Sequence, residues 1–165
     1  MSVLFFGTVP GETQEQLIRV VPFEKWGQIF VGCSGSFRFE KVISATYPAL
    51  QLHSNEVSLL SCSLGTLAVG QDFPLRFTGR LAWIEDMLGP DAPFLDRVAA
   101  VQVAQTMARY RGLNPYAQSY FAHYQERFGD FLAKQRKSIG TFLSPVRLAS
   151  FTSGDFRDQA RRAAD

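Results

Sequence analysis

The sequence predicts an α/β fold: three parallel strands carrying a large helical insertion. Three observations lead there. Short apolar, β-branched or aromatic runs alternate with segments of helical period, the pattern of strands joined by crossover helices. A long middle stretch, about residues 71–146, is mostly helical. The 165 residues, 46% of them hydrophobic, suffice for a single domain with a sizeable core.

In chain order, residues 12–21 have helical polarity, with Leu17, Ile18 and Val21 spaced by three and four, and Pro22 stops them. Gln28 to Val31 is a short run bounded by Gly32 and reads as a buried strand. Residues 36–46 read as a helix closed by Pro48, Leu50 to His53 as a second strand, and residues 57–69 as an apolar helix ending at Gly70. Pro74, Gly79, Gly89-Pro90 and Pro93 then punctuate an apolar stretch, Leu81 to Leu88. From Phe94 to Tyr110 two adjacent apolar stripes predict a helix buried on more than one side. Residues 116–143 read as one further long helix, with Tyr120, Tyr124, Phe128 and Phe131 spaced by three and four. Arg147 to Phe151 is expected to be the third strand and Asp155 to Ala164 a short terminal helix.

Composition excludes several classes. Seventeen Lys and Arg against fifteen Asp and Glu leave a net charge of +2, so no global charge argument points to nucleic acid. Cys33 and Cys62 are too few for a disulfide framework or a Cys-based zinc site, and His53 and His123 are isolated. The apolar start, Met1 to Phe6, is too short for a signal peptide, and no run approaches the roughly 20 residues of a membrane span. A soluble protein of a reducing compartment, the cytoplasm, is the expectation.

The sharpest local signal is Phe30-Val31-Gly32-Cys33-Ser34-Gly35-Ser36-Phe37, a strand running into a turn of small residues and then a helix. Small residues let a cofactor approach the backbone, and N–H groups at the next helix start can bind a carboxylate or phosphate. The run lacks the full dinucleotide-binding pattern, has no P-loop lysine, and also reads as a plain turn. About 20 residues later comes Leu52-His53-Ser54-Asn55-Glu56-Val57-Ser58. An acid at the tip of a second strand is placed to hold ribose hydroxyls. Ser54, Asn55 and Glu56 equally read as a cap for the following helix. Neither Cys33 nor Ser34 has the base partner that an activated nucleophile needs.

These residues, with Ser61-Cys62-Ser63-Leu64-Gly65, resemble the S-adenosylmethionine-binding half of phage-type antirestriction adenine methyltransferases, relatives of the DNA N6-adenine methyltransferases. The likeness is strong across about 25–70 and thinner through the helical middle; Ser153-Gly154-Asp155-Phe156 resembles the family's third-strand motif. The resemblance implies a Rossmann-like methyltransferase half, with S-adenosylmethionine held by Val31, Gly32, Cys33, Ser34, Gly35, Asn55, Glu56, Val57, Asp155 and Phe156. Within that set, the methionine end lies over Gly32 to Gly35, Glu56 holds the ribose, and Asp155 meets the adenine amine. The family usually has Asp where Glu56 stands.

The fourth-strand motif Asp/Asn-Pro-Pro-Tyr/Phe, which such enzymes use to grip a flipped adenine, is missing. Asn114-Pro115-Tyr116 comes nearest, one Pro short and before the third strand, and reads as a turn between helices. No catalytic residue is assigned. The chain ends at Asp165, where a fourth strand would follow. It is therefore expected to be a truncated or split methyltransferase-like domain over 1–165. The exposed edge of its first strand would then be paired by a complementary polypeptide or by self-association. Arg127, Lys134, Arg136 and Lys137, interleaved with aromatics, are candidate DNA contacts, a solvated helix face being the alternative. Two other function classes fit the same residues: a non-catalytic phage assembly or DNA-binding protein, and a cofactor-sequestering antirestriction protein.

Overall fold

A computed structural model describes residues 10–110, 112, 114–155, 157 and 161. The described chain is α/β, with helices α1 (Gly11–Val20), α2 (Arg38–Thr46), α3 (Leu59–Ala68), α4 (Trp83–Leu88), α5 (Phe94–Ala108), α6 (Pro115–Glu126) and α7 (Phe128–Leu143). Its strands are β1 (Gln28–Val31), β2 (Gln51–Glu56) and β3 (Ser150–Ser153). They form one parallel sheet in the order β1-β2-β3. The chain divides into two compact units, Met1–Asp72 with Phe142–Asp165, and Phe73–Thr141.

In the first unit, strand register sorts the side chains by face. Ile29 pairs with Leu52, and both join Phe23, Ile43 and Leu50 in a buried cluster flanked by Ile18 of α1 and by Val21 just after it. Full burial of one such side chain stabilises by roughly 1.5–3 kcal/mol. Ser54 and its register partner Phe151 share that face, Ser54 bonding Glu40 of α2 and Phe151 packing on Gly65 of α3. Both crossover helices thus cover the same face, as connections of one hand require when consecutive strands are added in one direction. The opposite face carries the row Phe30, His53 and Ser150. The rings of Phe30 and His53 stack 4.7 Å apart, and His53 Nδ1 lies 2.8 Å from Ser150 Oγ. Phe30 is 39% exposed, and among the described residues no strand pairs with the outer edge of β1.

The second unit is helical. Val98 to Ala104 of α5 is buried without interruption, the expected outcome of its double apolar stripe, and Met107 joins Ile84, Phe121 and Phe128 in the core. The Arg97 guanidinium donates to the carbonyls of Leu75, Gly89 and Pro90 and to Glu85, stapling the irregular stretch before α5. The Phe77 N–H, first, and then Arg97 hold the Glu85 carboxyl below its ordinary value.

Three boundaries depart from expectation. β2 continues three residues past His53 to Glu56, because Ser54, Asn55 and Glu56 find ladder partners on β3. β3 starts at Ser150 rather than Arg147: the Arg147 N–H is taken by Ser44 Oγ and its guanidinium by the Ser144 carbonyl, so pairing begins with Ala149 N–H to the Leu52 carbonyl. The long helix expected over 116–143 is two helices, broken at Arg127, whose backbone (φ −104°, ψ 22°) leaves helical geometry. The terminal helix expected from Asp155 falls largely outside the described residues.

Gly65 tests the α3 packing, since a Cβ there would overlap the Phe151 ring. Overpacking of this kind costs about 1–3 kcal/mol. Gly65→Ala is expected to lower the urea midpoint accordingly, and adding Phe151→Leu to recover part of the loss; a single variant as stable as the parent would contradict this packing.

Candidate functional site at the carboxyl ends of the strands

The turn after β1 has an unusual backbone. Cys33, Gly35 and Phe37 all adopt left-handed conformations, with φ of 57°, 57° and 58°. For the two non-glycine residues this costs roughly 1–2 kcal/mol each. Phe37 offsets its share by complete burial beside Phe151, with ring centroids 5.9 Å apart. Phe37 N–H closes the turn onto the Ser34 carbonyl, and Ser34 N–H extends the sheet ladder by bonding the Asn55 carbonyl.

The Glu56 carboxylate holds this turn in place. Gly35 N–H donates to Oε2 at 2.7 Å, while Val57 and Ser58 N–H donate to Oε1 at 2.8 and 3.3 Å. An ionised carboxylate has about four acceptor positions. Three are engaged here, so Oε2 retains one and Oε1 none. Ser58 then caps α3, its Oγ accepting from the Ser61 N–H.

Asn55 performs a separate task. Its side chain is buried and Nδ2 donates to the carbonyls of Thr152 and Gly154, both at 3.0 Å, clipping the end of β2 to β3. Gly154 N–H in turn donates to the Glu56 carbonyl. Asp155 follows directly and is clasped by Arg157 through side-chain and then backbone hydrogen bonds, which hold its carboxyl down at about 2. Phe156 lies outside the described residues. Gly32, Cys33 and Val57 are exposed around the turn, with Val31, Ser34 and Gly35 half-buried.

Beneath the turn lies a group that sequence reading missed. Glu40 of α2 is fully buried, with Oε1 accepting from Ser54 Oγ at 3.0 Å and Oε2 unpartnered. Burial pushes its carboxyl above the ordinary value, and the nearby Glu56 carboxylate adds to the rise, against hydrogen bonds from Ser34 and Ser54. Glu40 stands in the polar stripe of an amphipathic helix, so nothing in the sequence marks it. The fold turns it beneath Ser54. Cys62 is likewise buried, its Sγ donating to the Glu56 carbonyl; burial raises its thiol and makes it a poor nucleophile.

The other residues singled out in the sequence lie elsewhere. Asn114 caps α6, its Oδ1 accepting from the Ala117 N–H at 2.8 Å, with Pro115 in the first turn. Arg127 pairs with Asp130 and Arg136 with Asp96, whereas Lys134 and Lys137 are exposed without an ion pair among the described residues. An open hollow of about 640 Å³, lined by Lys25, Trp26, Gly27, Gln28 and Gln51, lies at the opposite end of the sheet from the turn. No group of three or more metal-ligating side chains occurs among the described residues, and no helix there is long and apolar enough to cross a membrane.

A parallel sheet whose strand ends carry a small-residue turn, a buried acid and a helix start defines an α/β protein with its candidate site at the strand carboxyl ends, the usual ligand position in open sheets of this kind. Over residues 5–165 the chain matches the family described as phage DNA adenine methylase-like domain 1, and it belongs to that family. No curated protein and no solved structure matches it.

The buried acid makes a pH prediction. A carboxyl whose value is raised on folding contributes stability that is complete below the ordinary glutamate range and is lost as pH rises through the raised value. The melting temperature is therefore expected to fall between pH 5 and pH 8 by less in Glu40→Gln than in the parent. Equal pH slopes would contradict a raised Glu40 carboxyl.

Proposed function

We propose that the chain is the S-adenosylmethionine-binding part of a DNA adenine-N6 methyltransferase, a Rossmann-like half that works with a second polypeptide carrying the Pro-Pro-Tyr motif. One observation carries the reading: the turn at residues 32–35 and the Glu56 carboxylate are locked together at the carboxyl end of a parallel sheet. Family membership supports adenine methylation as the chemistry. The donor set fits an adenosyl ligand, since Oε2 of Glu56 keeps one acceptor position for a ribose hydroxyl and the exposed backbone of Gly32 and Cys33 admits close approach. S-adenosylmethionine supplies an activated methyl group when bound. The chain's own share is binding and orientation, which account for much of the rate gain when two reactants are held together. Gly32 to Gly35 would lie along the methionine end, with Asp155 meeting the adenine amine. The second polypeptide would pair with the open edge of β1 and cover the Phe30-His53-Ser150 face.

One observation favours a non-catalytic assembly or DNA-binding protein instead. The Glu56 carboxylate is nearly saturated by backbone donors, so a bidentate ribose grip requires it to release one of them.

Calorimetry with S-adenosylhomocysteine separates the two readings. Binding is expected, weakened at least tenfold in Glu56→Ala, or about 1.4 kcal/mol. Because Glu56→Ala also loosens the turn, alkylation of exposed Cys33 provides a second readout on the unaltered chain. The cofactor should slow its modification, and an unchanged rate together with no heat of binding would leave the assembly reading. Reconstitution with a Pro-Pro-Tyr partner should transfer labelled methyl to DNA; failure to do so would exclude the split-enzyme reading.

A further inference from the structure

Two carboxyls lie side by side beneath the turn at residues 32–35. Ser54 and Glu56 alternate along β2 and so project to one face of the sheet. Glu40 of α2 reaches that face by accepting from Ser54 Oγ at 3.0 Å. Consecutive residues of the turn meet the two acids: the Gly35 N–H donates to Glu56, and the Ser34 hydroxyl bears on Glu40. The side chains of Glu40, Ser54 and Glu56 are all buried.

Neither acid has an ion pair among the described residues. Glu56 is supplied with backbone donors, but Glu40 Oε2 is buried without a hydrogen-bond partner. A buried acid is costly to ionise unless a counter-charge comes with it. Glu56 of β2 is the charged group set against Glu40, and Cys62 of α3 is the other titratable group beside Glu56. Lys41 of α2 lies over the Phe142 ring instead. Arg147, whose N–H bonds Ser44 of α2, has its guanidinium on the Ser144 carbonyl.

We propose that Glu40, acting with Glu56, makes the turn prefer a cationic adenosyl ligand, S-adenosylmethionine, over its neutral thioether counterpart, S-adenosylhomocysteine. The inference rests on the S-adenosylmethionine reading of the turn. The two ligands share base, ribose and amino-acid groups and differ by one methyl group and one positive charge at sulfur. A ribose contact with Glu56 serves both equally, whereas a buried acid behind the turn favours the charged one. Opposite unit charges about 10 Å apart, at the effective dielectric of a protein, change affinity by roughly tenfold. The site would thus keep the ligand that still carries its methyl group.

The preference has a pH dependence of definite sign. Burial, and then the Glu56 carboxylate, hold the Glu40 carboxyl above the ordinary glutamate range. Below that raised value Glu40 carries a proton and offers no charge, so the preference grows as pH rises through it. A cationic ligand favours the ionised acid, and its binding releases a proton that binding of the neutral ligand does not.

Calorimetry of the full chain with each ligand, between pH 5 and 7.5 and in buffers of different ionisation enthalpy, tests this. In the unaltered chain the affinity ratio of S-adenosylmethionine to S-adenosylhomocysteine is expected to rise at least fivefold across that range. The cationic ligand should also release more protons. Glu40→Gln should hold the ratio near its low-pH value throughout, while Glu40→Asp, which keeps the charge, should retain a rise. A purely structural Glu40 would weaken both ligands alike in Glu40→Gln and leave the ratio unmoved, which would overturn the proposal. So would a ratio in the unaltered chain that does not change with pH, the cofactor reading then standing alone. Absence of heat with both ligands would overturn that reading and this inference together.

Discussion

The candidate site depends on one carboxylate. Glu56 gathers the N–H groups of Gly35, Val57 and Ser58, and so joins the turn after β1 to the start of α3. Hydrogen bonds to a charged acceptor contribute about 1.5–3 kcal/mol each when buried. That is the scale needed to hold two non-glycine residues in the left-handed region, which a loop free in solvent would abandon. The remaining bonds at this edge, from Ser34 to Asn55, Gly154 to Glu56 and Asn55 to β3, lace the strand ends into one piece. The same bonds limit chemistry, because a carboxylate that organises a turn has little acceptor capacity left for a ligand.

Beneath it, a second carboxyl makes the arrangement electrostatically tense. Glu40 and Glu56 cannot both carry charge cheaply in a buried site, and Glu56 has the backbone donors. Glu40, bonded by Ser54, has its carboxyl raised instead. One acid is tied to backbone N–H groups, and the carboxyl of its neighbour is pushed above the ordinary glutamate range by burial.

The two units divide the physical work. The sheet unit offers backbone donors, small residues and a nearly occupied acid at the strand ends, suited to a small ligand. The helical unit offers exposed aromatic rings on α6 and exposed lysines on α7. The chain belongs to a family described as phage DNA adenine methylase-like. Asn114-Pro115-Tyr116, the sequence's nearest match to a Pro-Pro-Tyr motif, is engaged within the helical unit. Asn114 is spent on capping α6, and Tyr116 packs on Tyr120.

Much of this was legible in the sequence because it is written in local periodicity. Strand β1, helices α1, α2, α3 and α5 and the parallel order follow from apolar spacing, Pro and Gly stops and the alternation of element types. The same local cues marked the turn at 32–35 and the acid at 56 as belonging together. Elsewhere, local pattern was overridden by partners distant in the chain. Polar residues 54–56 look like a cap but become strand once β3 supplies a ladder, and residues 147–149 look like strand until Ser44 takes the Arg147 N–H. The periodicity across 116–143 hides a break at Arg127, since stripe spacing is insensitive to one residue leaving helical geometry. Composition and period determined which elements form and which end of the sheet is the candidate site. Only the tertiary structure decided where each carboxylate points and what it bonds, because hydrogen bonds between residues 21 or 97 positions apart leave no periodic trace in the chain.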